Sequence, residues 1–384
     1  MRKQIFITIL LIIMTIFIAI SILSGCKSNN TGNNAISSSI NSGSNSSISS
    51  ISNSENNSST GSADSLSSSS TGSSNISNDT KAAEKISIKI GALKGPSIIG
   101  MVKLIDDNPV LGENITSDYE IVQSPDVMTS RLLSKEIDIA VLPTNVAAKL
   151  YDKGVEIKLA AVTGGGVLYL VADDNEKINQ GNWNDLKNKK ISITSKGSNP
   201  DVIFRYLASK NNIDTKKDLT LEYSADQVEL TQLLIAGRSG IGVLPEPFAT
   251  SATLKNSSLK IVMNIQEEWK KTNSGNELPQ TCLVVKSGFL KENPAAIENF
   301  LNNYKNSIEW ANSNPEEAGS LAEKYQIGID EKIARDVIPR CNLMFLSNLE
   351  SEKIVSDYLK TIYGFSPDDV GGLLPDEEFY YVKK

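Results

Sequence analysis

Apolar and polar positions alternate through Ile86-Ser87-Ile88-Lys89-Ile90, the period-two pattern of a half-buried strand. Gly95-Pro96 then opens a helix with Ile98, Ile99, Val102 and Ile105 on one face. A second strand is predicted over 119–122. Ser124-Pro125-Asp126 starts another helix, which carries Val127, Leu132 and Leu133. A third strand over 137–142 ends at Pro143, with Thr144 or Asn145 as cap of the next helix. The order then recurs at an offset of 102 (196 − 94): Lys94-Gly95 is echoed by Lys196-Gly197, and Val141-Leu142-Pro143 by Val243-Leu244-Pro245. A strand at 221–223 and a helix start at Ser224-Ala225-Asp226 fall near the same register. Any α/β protein repeats this grammar, but four landmarks in one register predict two lobes of βαβαβ design, each with a mainly parallel sheet.

Between the two units, residues 159–172 hold Gly164-Gly165-Gly166 followed by the apolar run Val167-Leu168-Tyr169-Leu170-Val171. Glycines beside a continuous strand suit a crossing between lobes where backbone dihedrals change, so residues 164–166 are expected to form one hinge. Thr281-Cys282-Leu283-Val284-Val285 is the matching return strand. Helices opened by Asn293-Pro294 (Phe300, Leu301, Tyr304, Ile308) and Asn314-Pro315 (Leu321, Tyr325) should cover the first lobe. The expected division is 81–170 with 278–384 for lobe 1, and 171–277 for lobe 2.

The N-terminal region has a different pattern. Arg2 and Lys3 precede an uncharged apolar run over 5–23, and Leu23-Ser24-Gly25 stands directly before Cys26. This resembles a lipoprotein signal peptide with its lipobox. The resemblance implies cleavage of residues 1–25, a diacylglycerol on the Cys26 thiol and attachment to the membrane through that lipid. The alternative is an uncleaved anchor, since the run is nearly long enough to span a bilayer. Small residues against the cysteine favour the first. Residues 26–80 are almost all Ser, Asn, Gly and isolated Ile, too few large apolar groups to offset the entropy of ordering. A coil of that length would have an end-to-end distance of roughly 40 Å, enough to hold a folded domain clear of a membrane. The richness in Asn, Ile, Lys and Ser suggests an AT-rich genome and a Gram-positive cell, with the domain at the outer face of the plasma membrane.

Charge and composition remove several function classes. The formal charge is −7, and removal of Arg2 and Lys3 with the leader makes it two units more negative. An acidic exterior argues against nucleic-acid binding. The chain has no histidine, which excludes Ser-His-Asp and Cys-His catalysis and every zinc site that needs an imidazole. Cys282 and Cys341 are too few for a structural metal site. They are either a disulfide or two buried thiols, and the sequence leaves both open. No cofactor and no metal are expected, and a monomer is.

The strand-to-helix turns carry the candidate chemistry. Each lies at the carboxyl edge of a predicted sheet, where open α/β folds bind ligands, and helix starts offer unpaired N–H groups to oxyanions. Gly95, Pro96 and Ser97 of lobe 1 should face Gly197, Ser198 and Asn199 of lobe 2 across a cleft. Thr144, Asn145 and Gly166 are expected to border it. Glu246, at the start of the next helix, either accepts a ligand donor or is an acid stabilised by the helix dipole or hinge N–H groups. Neither glycine turn has the spacing of a nucleotide loop. No arginine lies in these turns, which argues against a bidentate clamp on a dianion.

Three segments carry a family resemblance: Gly-Ala-Leu-Lys-Gly-Pro at 91–96, Glu-Ile-Asp-Ile-Ala-Val-Leu-Pro-Thr-Asn at 136–145 and Leu-Pro-Glu-Pro-Phe at 244–248. They resemble the substrate-binding proteins of nitrate/sulfonate/taurine-type ABC importers, a group that includes binding proteins for the thiamine-precursor pyrimidine. The resemblance spans roughly 86–380. One departure is Ser239-Gly240-Ile241-Gly242, where relatives carry an entry like Asp138-Ile139-Ala140. The resemblance implies a type II periplasmic-binding fold with two crossover strands. It also implies a small solute between the lobes, and an ABC permease with its ATPase as partners. Two alternatives remain: an enzyme on the same scaffold, limited to carboxylate chemistry by the absence of histidine, and a sensory surface lipoprotein.

Overall fold

The computed structural model describes residues 85–383 except 328 and 330. The proposed leader, Cys26 and the linker lie outside the described residues. Among the described residues no helix is long and apolar enough to cross a membrane.

The chain enters lobe 1 through β1 (Ile86–Leu93), α1 (Pro96–Ile99), α2 (Val102–Asp107), β2 (Ile115–Val122), α3 (Pro125–Leu133), β3 (Ile139–Pro143), α4 (Thr144–Asp152) and β4 (Ile157–Gly164). Lobe 2 follows with β5 (Leu168–Asp173), β6 (Lys190–Thr194), α5 (Asn199–Lys210), β7 (Thr220–Ser224), α6 (Gln227–Ile235), β8 (Ile241–Pro245), α7 (Phe248–Lys255), β9 (Leu259–Asn264) and α8 (Ile265–Thr272). The chain then returns to lobe 1 as β10 (Thr281–Lys286), α9 (Ser287–Glu292), α10 (Pro294–Ser313), α11 (Pro315–Lys324), α12 (Glu331–Val337), β11 (Leu343–Ser347) and α13 (Asn348–Phe365). The sheet orders are β11-β4-β10-β3-β1-β2 and β7-β6-β8-β5-β9.

The internal repeat is real in three dimensions. At the 102-residue offset, α3 coincides with α6 and β3 with β8, end for end. Each lobe has the same parallel trio, β2-β1-β3 and β7-β6-β8. The remaining pairings are antiparallel, made by β10, β4 and β11 in lobe 1 and by β5 and β9 in lobe 2. The sheets are therefore mixed rather than mainly parallel, because the strands that enter and leave each lobe run against the repeat.

Two features differ from the sequence reading, the first crossing and the first helix, while the return strand lies in lobe 1 as expected. The first crossing occupies 165–167, and Leu168, Tyr169 and Leu170 pair within the sheet of lobe 2, not lobe 1. The return strand β10 lies wholly in lobe 1, between β3 and β4. The helix expected from Pro96 through Ile105 is two short helices. At the break Ser307 of α10 donates to the Gly100 carbonyl (2.7 Å) and accepts from Leu104 N–H (3.1 Å), in place of a direct helix bond between those two. At the departure from the family pattern, Gly240 stands against the carboxylate of Glu176, where a Cβ has no room, and β8 still begins at Ile241.

Alternate residues of the lobe 1 strands point to different cores. Ile88, Ile90, Val141, Leu283 and Val285 pack against Phe300, Tyr304 and Ile308 of α10, so the helix opened by Pro294 covers this lobe as expected. Leu142, Leu159, Val162 and Val284 face the other way. Their cluster continues without interruption through Leu168, Ile193, Phe204 and Trp269 of lobe 2 to Tyr358 and Leu359 of α13. One core thus runs through both lobes, with α13 laid along it.

Candidate functional site

A cavity of about 80 Å3 lies between the lobes, where the strand-to-helix turns converge. Its size is well below the ~300–1,000 Å3 of pockets for drug-sized ligands, so it suits a small solute. The repeat shapes it. Leu93, Pro96, Ser97, Pro125 and Pro143 line it from lobe 1, and their equivalents at the 102-residue offset, Ser195, Ser198, Asn199, Gln227 and Pro245, line it from lobe 2. Gln123, Gln280, Thr281, Thr194 and Cys341 add to the wall.

Four helices of eight or more residues start at this wall, and their ends differ: at α4 the lining residue Pro143 has no side chain to cap it, and Thr144 N–H donates to the Gln280 carbonyl (3.2 Å). In α3 the Ser124 hydroxyl accepts from Val127 N–H, and in α6 the Asp226 carboxylate accepts from Val228 and Glu229 N–H. The cap of α5, Ser198, makes no such bond. Its Oγ is buried without a hydrogen-bond partner. An unsatisfied buried hydroxyl at an uncapped helix start is costly unless something binds there, and the N–H groups and dipole of α5 favour an oxygen-bearing anion.

The other polar groups of the wall are largely committed. The Asn199 amide donates to the Gln280 carbonyl (2.5 Å) and accepts from the Tyr358 hydroxyl (2.6 Å), which ties α5 to the crossing strand and to α13. Gln280 Oε1 accepts from Val167 N–H, and Gln227 donates across the cleft to the Lys94 carbonyl (2.7 Å). Lys94 is the one cationic lining residue, and none is acidic. Burial pushes the Cys341 thiol up, with the Glu246 carboxylate adding to it, so that thiol stays neutral. Burial likewise pushes the Cys282 thiol up to about 12. Both cysteines are free, which settles their state as buried thiols.

Of the residues singled out from sequence, Pro96, Ser97, Ser198 and Asn199 line the cavity. Gly95, Thr144, Asn145, Gly166, Gly197 and Glu246 are not among the lining residues and hold its surroundings together. Gly95, at φ 125°, sits beside the Phe248 ring, and Gly197 turns the chain at φ 74°. Thr144 donates to the Pro279 carbonyl. The Gly197 carbonyl receives Asn145 Nδ2 (3.0 Å) and Lys149 Nζ (2.6 Å), so lobe 1 grips the turn of lobe 2 from behind. Burial pushes the Lys149 ammonium below its usual range, against the pull of Asp369. Gly166 accepts from Asn342 at its carbonyl, and a Cβ there would fall on the Gln266 side chain. Glu246 is fully buried. It accepts from Thr250 N–H (3.1 Å) and Oγ1 (2.8 Å) and pairs with Arg340 of lobe 1 at 3.0 Å.

Sequence reasoning missed the glutamines, because Gln carries no turn or capping signature. The offset would have given Gln227 as the counterpart of Pro125. Gln280, Thr281 and Cys341 reach the cavity through tertiary contacts that no local pattern records.

Comparison with known proteins places this architecture. The family described as ABC transporter, phosphonate, periplasmic substrate-binding protein matches residues 111–331. YtlA of Bacillus subtilis strain 168, named as a binding protein, is 26% identical over 203 residues, 52% of this chain and 58% of YtlA. The chain thus spans less than two thirds of that relative's length. The structure of an ABC transporter from Parabacteroides distasonis is 30% identical, with 78% of this chain and 100% of that chain covered and a TM-score of 0.65. The fold is shared with the periplasmic aliphatic sulphonate binding protein SsuA of Escherichia coli, at 15% identity, coverage of 76% and 95%, and a TM-score of 0.60. A repeated α/β unit, two crossings and a cavity at the helix starts agree with these matches, and the chain belongs to the family of phosphonate-type periplasmic substrate-binding proteins of ABC transporters.

Proposed function

We propose that this chain is the solute-capturing component of an ABC importer. It takes a small molecule with an oxyanion group between its lobes and presents it to a permease driven by an ATPase. The observation that carries this reading is the uncapped start of α5, whose buried Ser198 hydroxyl has no partner, at a cavity wall without a carboxylate. The lining has no aromatic side chain to stack on a ring and no acid to receive a ring amine, which speaks against the pyrimidine ligands of the wider group. The solute is released unaltered. Cys341 is held neutral by burial and Lys94 has no general base beside it in the wall, so the lining has no activated nucleophile. Native mass spectrometry of the purified protein should show one small ligand per chain, recovered with the same mass after long incubation. A time-dependent change of that mass would favour an enzyme instead.

The same proposal covers placement. Cys26 carries the lipid, and the linker holds a monomeric binding domain off the outer face of a Gram-positive plasma membrane. Cys26→Ser should abolish incorporation of radioactive palmitate, and label retained by that variant would refute the anchor.

A further inference from the structure

We infer that Gln280 reads the solute: its side-chain amide is locked with Nε2 toward the cavity, so it donates to an acceptor oxygen of the ligand and refuses a donor group. This rests on the oxyanion reading above and goes beyond it by assigning to one residue the choice between acceptor and donor.

Gln280 stands where the chain re-enters lobe 1, and nearly all of its polar groups are spent. Its N–H donates to the Gly164 carbonyl (3.0 Å). Its carbonyl accepts from Thr144 N–H (3.2 Å) of lobe 1 and from Asn199 Nδ2 (2.5 Å) of lobe 2. Its Oε1 accepts from Val167 N–H (3.2 Å) in the first crossing. A backbone N–H only donates, so the atom facing Val167 is the oxygen, and turning the amide over would set donor against donor. What remains is Nε2, with two N–H groups and no partner among the described residues. Gln280 is 7% exposed and lines the interlobe cavity. Nε2 is not among the polar atoms enclosed without a partner, so it opens into that cavity. A solute oxygen placed there gains a hydrogen bond, whereas an ammonium or amide N–H meets a second donor. Both lobes and both crossings hold the residue, which gives it the preorganisation that a selective contact needs.

The test exploits the near-identical shapes of glutamine and glutamate. Sulfate, nitrate, methanesulfonate and methylphosphonate are titrated calorimetrically into the full-length protein in detergent, and the tightest of them is carried forward. In Gln280→Glu one carboxylate oxygen still accepts from Val167 N–H, while the other puts an acceptor where the donor was. At about pH 8 this variant should bind the probe about tenfold or more weakly than the parent, through the lost hydrogen bond and the added like charge. Burial raises such a carboxyl above its usual value of about 4.3, so towards about pH 5 it takes up a proton and becomes an O–H donor. The gap to the parent should then narrow severalfold. Variant and parent are compared at the same pH, so titration of the probe is common to both. Gln280→Met keeps the length and loses both polar atoms, and it should bind about tenfold more weakly at either pH, with no recovery in acid. Parent-like binding by Gln280→Met, or by Gln280→Glu at about pH 8, would overturn the assignment of Gln280 and leave the oxyanion reading standing. So would a Gln280→Glu deficit that stays the same at both pH values and equals that of Gln280→Met, the mark of a purely structural residue. A parent that binds none of the four anions would overturn both.

Discussion

Ser198 and Asn199 are neighbours on one turn, yet they should answer mutation in opposite ways. Ser198 Oγ is buried without a partner, so Ser198→Ala removes an unsatisfied atom. Stability should hold or rise, while affinity for the proposed oxyanion falls by about 0.5–1.5 kcal/mol, the net worth of one hydrogen bond. Asn199 uses both ends of its amide on Gln280 and Tyr358. Asn199→Ala strands those buried partners and should lower stability by about 1–3 kcal/mol. Glu246→Gln belongs with Asn199, because its carboxylate serves Thr250 and Arg340 and not the cavity wall. Titration calorimetry beside thermal melts separates the two classes. A Ser198→Ala variant that melts early and binds fully would reverse the assignment. The sequence distinguished these residues only in part. A strand-turn-helix pattern places both at a helix start, but which amide is already spent depends on Tyr358, far away in the chain.

At the scale of elements, local pattern was legible wherever one face of a strand or helix is buried and the other is not. The parallel trios, the α3 and α6 starts and the long α10 were readable for that reason. The crossing was legible in its place, at the run of glycines, but not in its exact edge. Both β4 and β5 are buried on both faces, so they read as a single apolar run, and nothing local marks where one sheet ends or that the pairing is antiparallel. The glycines there also have a different cause from the expected one. None of Gly164, Gly165 and Gly166 has a positive φ. What they provide is room, for Thr281, Asn342 and Gln266 respectively, whose side chains lie where a Cβ would be. Gly165→Ala should therefore force the Asn342 amide away from its bond to Gly166 and destabilise by about 1–3 kcal/mol, as overpacking does. Asn342→Ala should make the same glycine substitution tolerable, and a double variant no more stable than Gly165→Ala alone would show that dihedral freedom is the requirement after all.

For the whole molecule the question is how a shared core permits motion. The cluster that runs from Leu142 through Phe204 to Tyr358 crosses from lobe to lobe beside α13, on the side gripped by Asn145 and Lys149. Across the cleft the lobes are joined by few bonds: Gln227 to the Lys94 carbonyl, and Arg340 to Glu246 and Thr250. Opening that breaks only these is inexpensive, whereas opening that splits the core would expose large apolar side chains at roughly 25 cal/mol per Å2. The lobes should consequently swing about the core and the 165–167 crossing, with the cleft bonds acting as the latch of the closed form. Small-angle scattering should give a smaller radius of gyration with ligand than without. Gln227→Ala and Arg340→Ala, combined, should enlarge the radius of the free form and speed ligand release more than they slow association, because they remove closure contacts and leave the helix starts intact. Arg340→Ala also takes the partner from the buried Glu246 carboxylate and lowers stability, so Gln227→Ala alone, which leaves no buried charge, is the control against simple damage. A radius that does not change at saturating ligand, in both the parent and the double variant, would mean that the cleft does not work by closure.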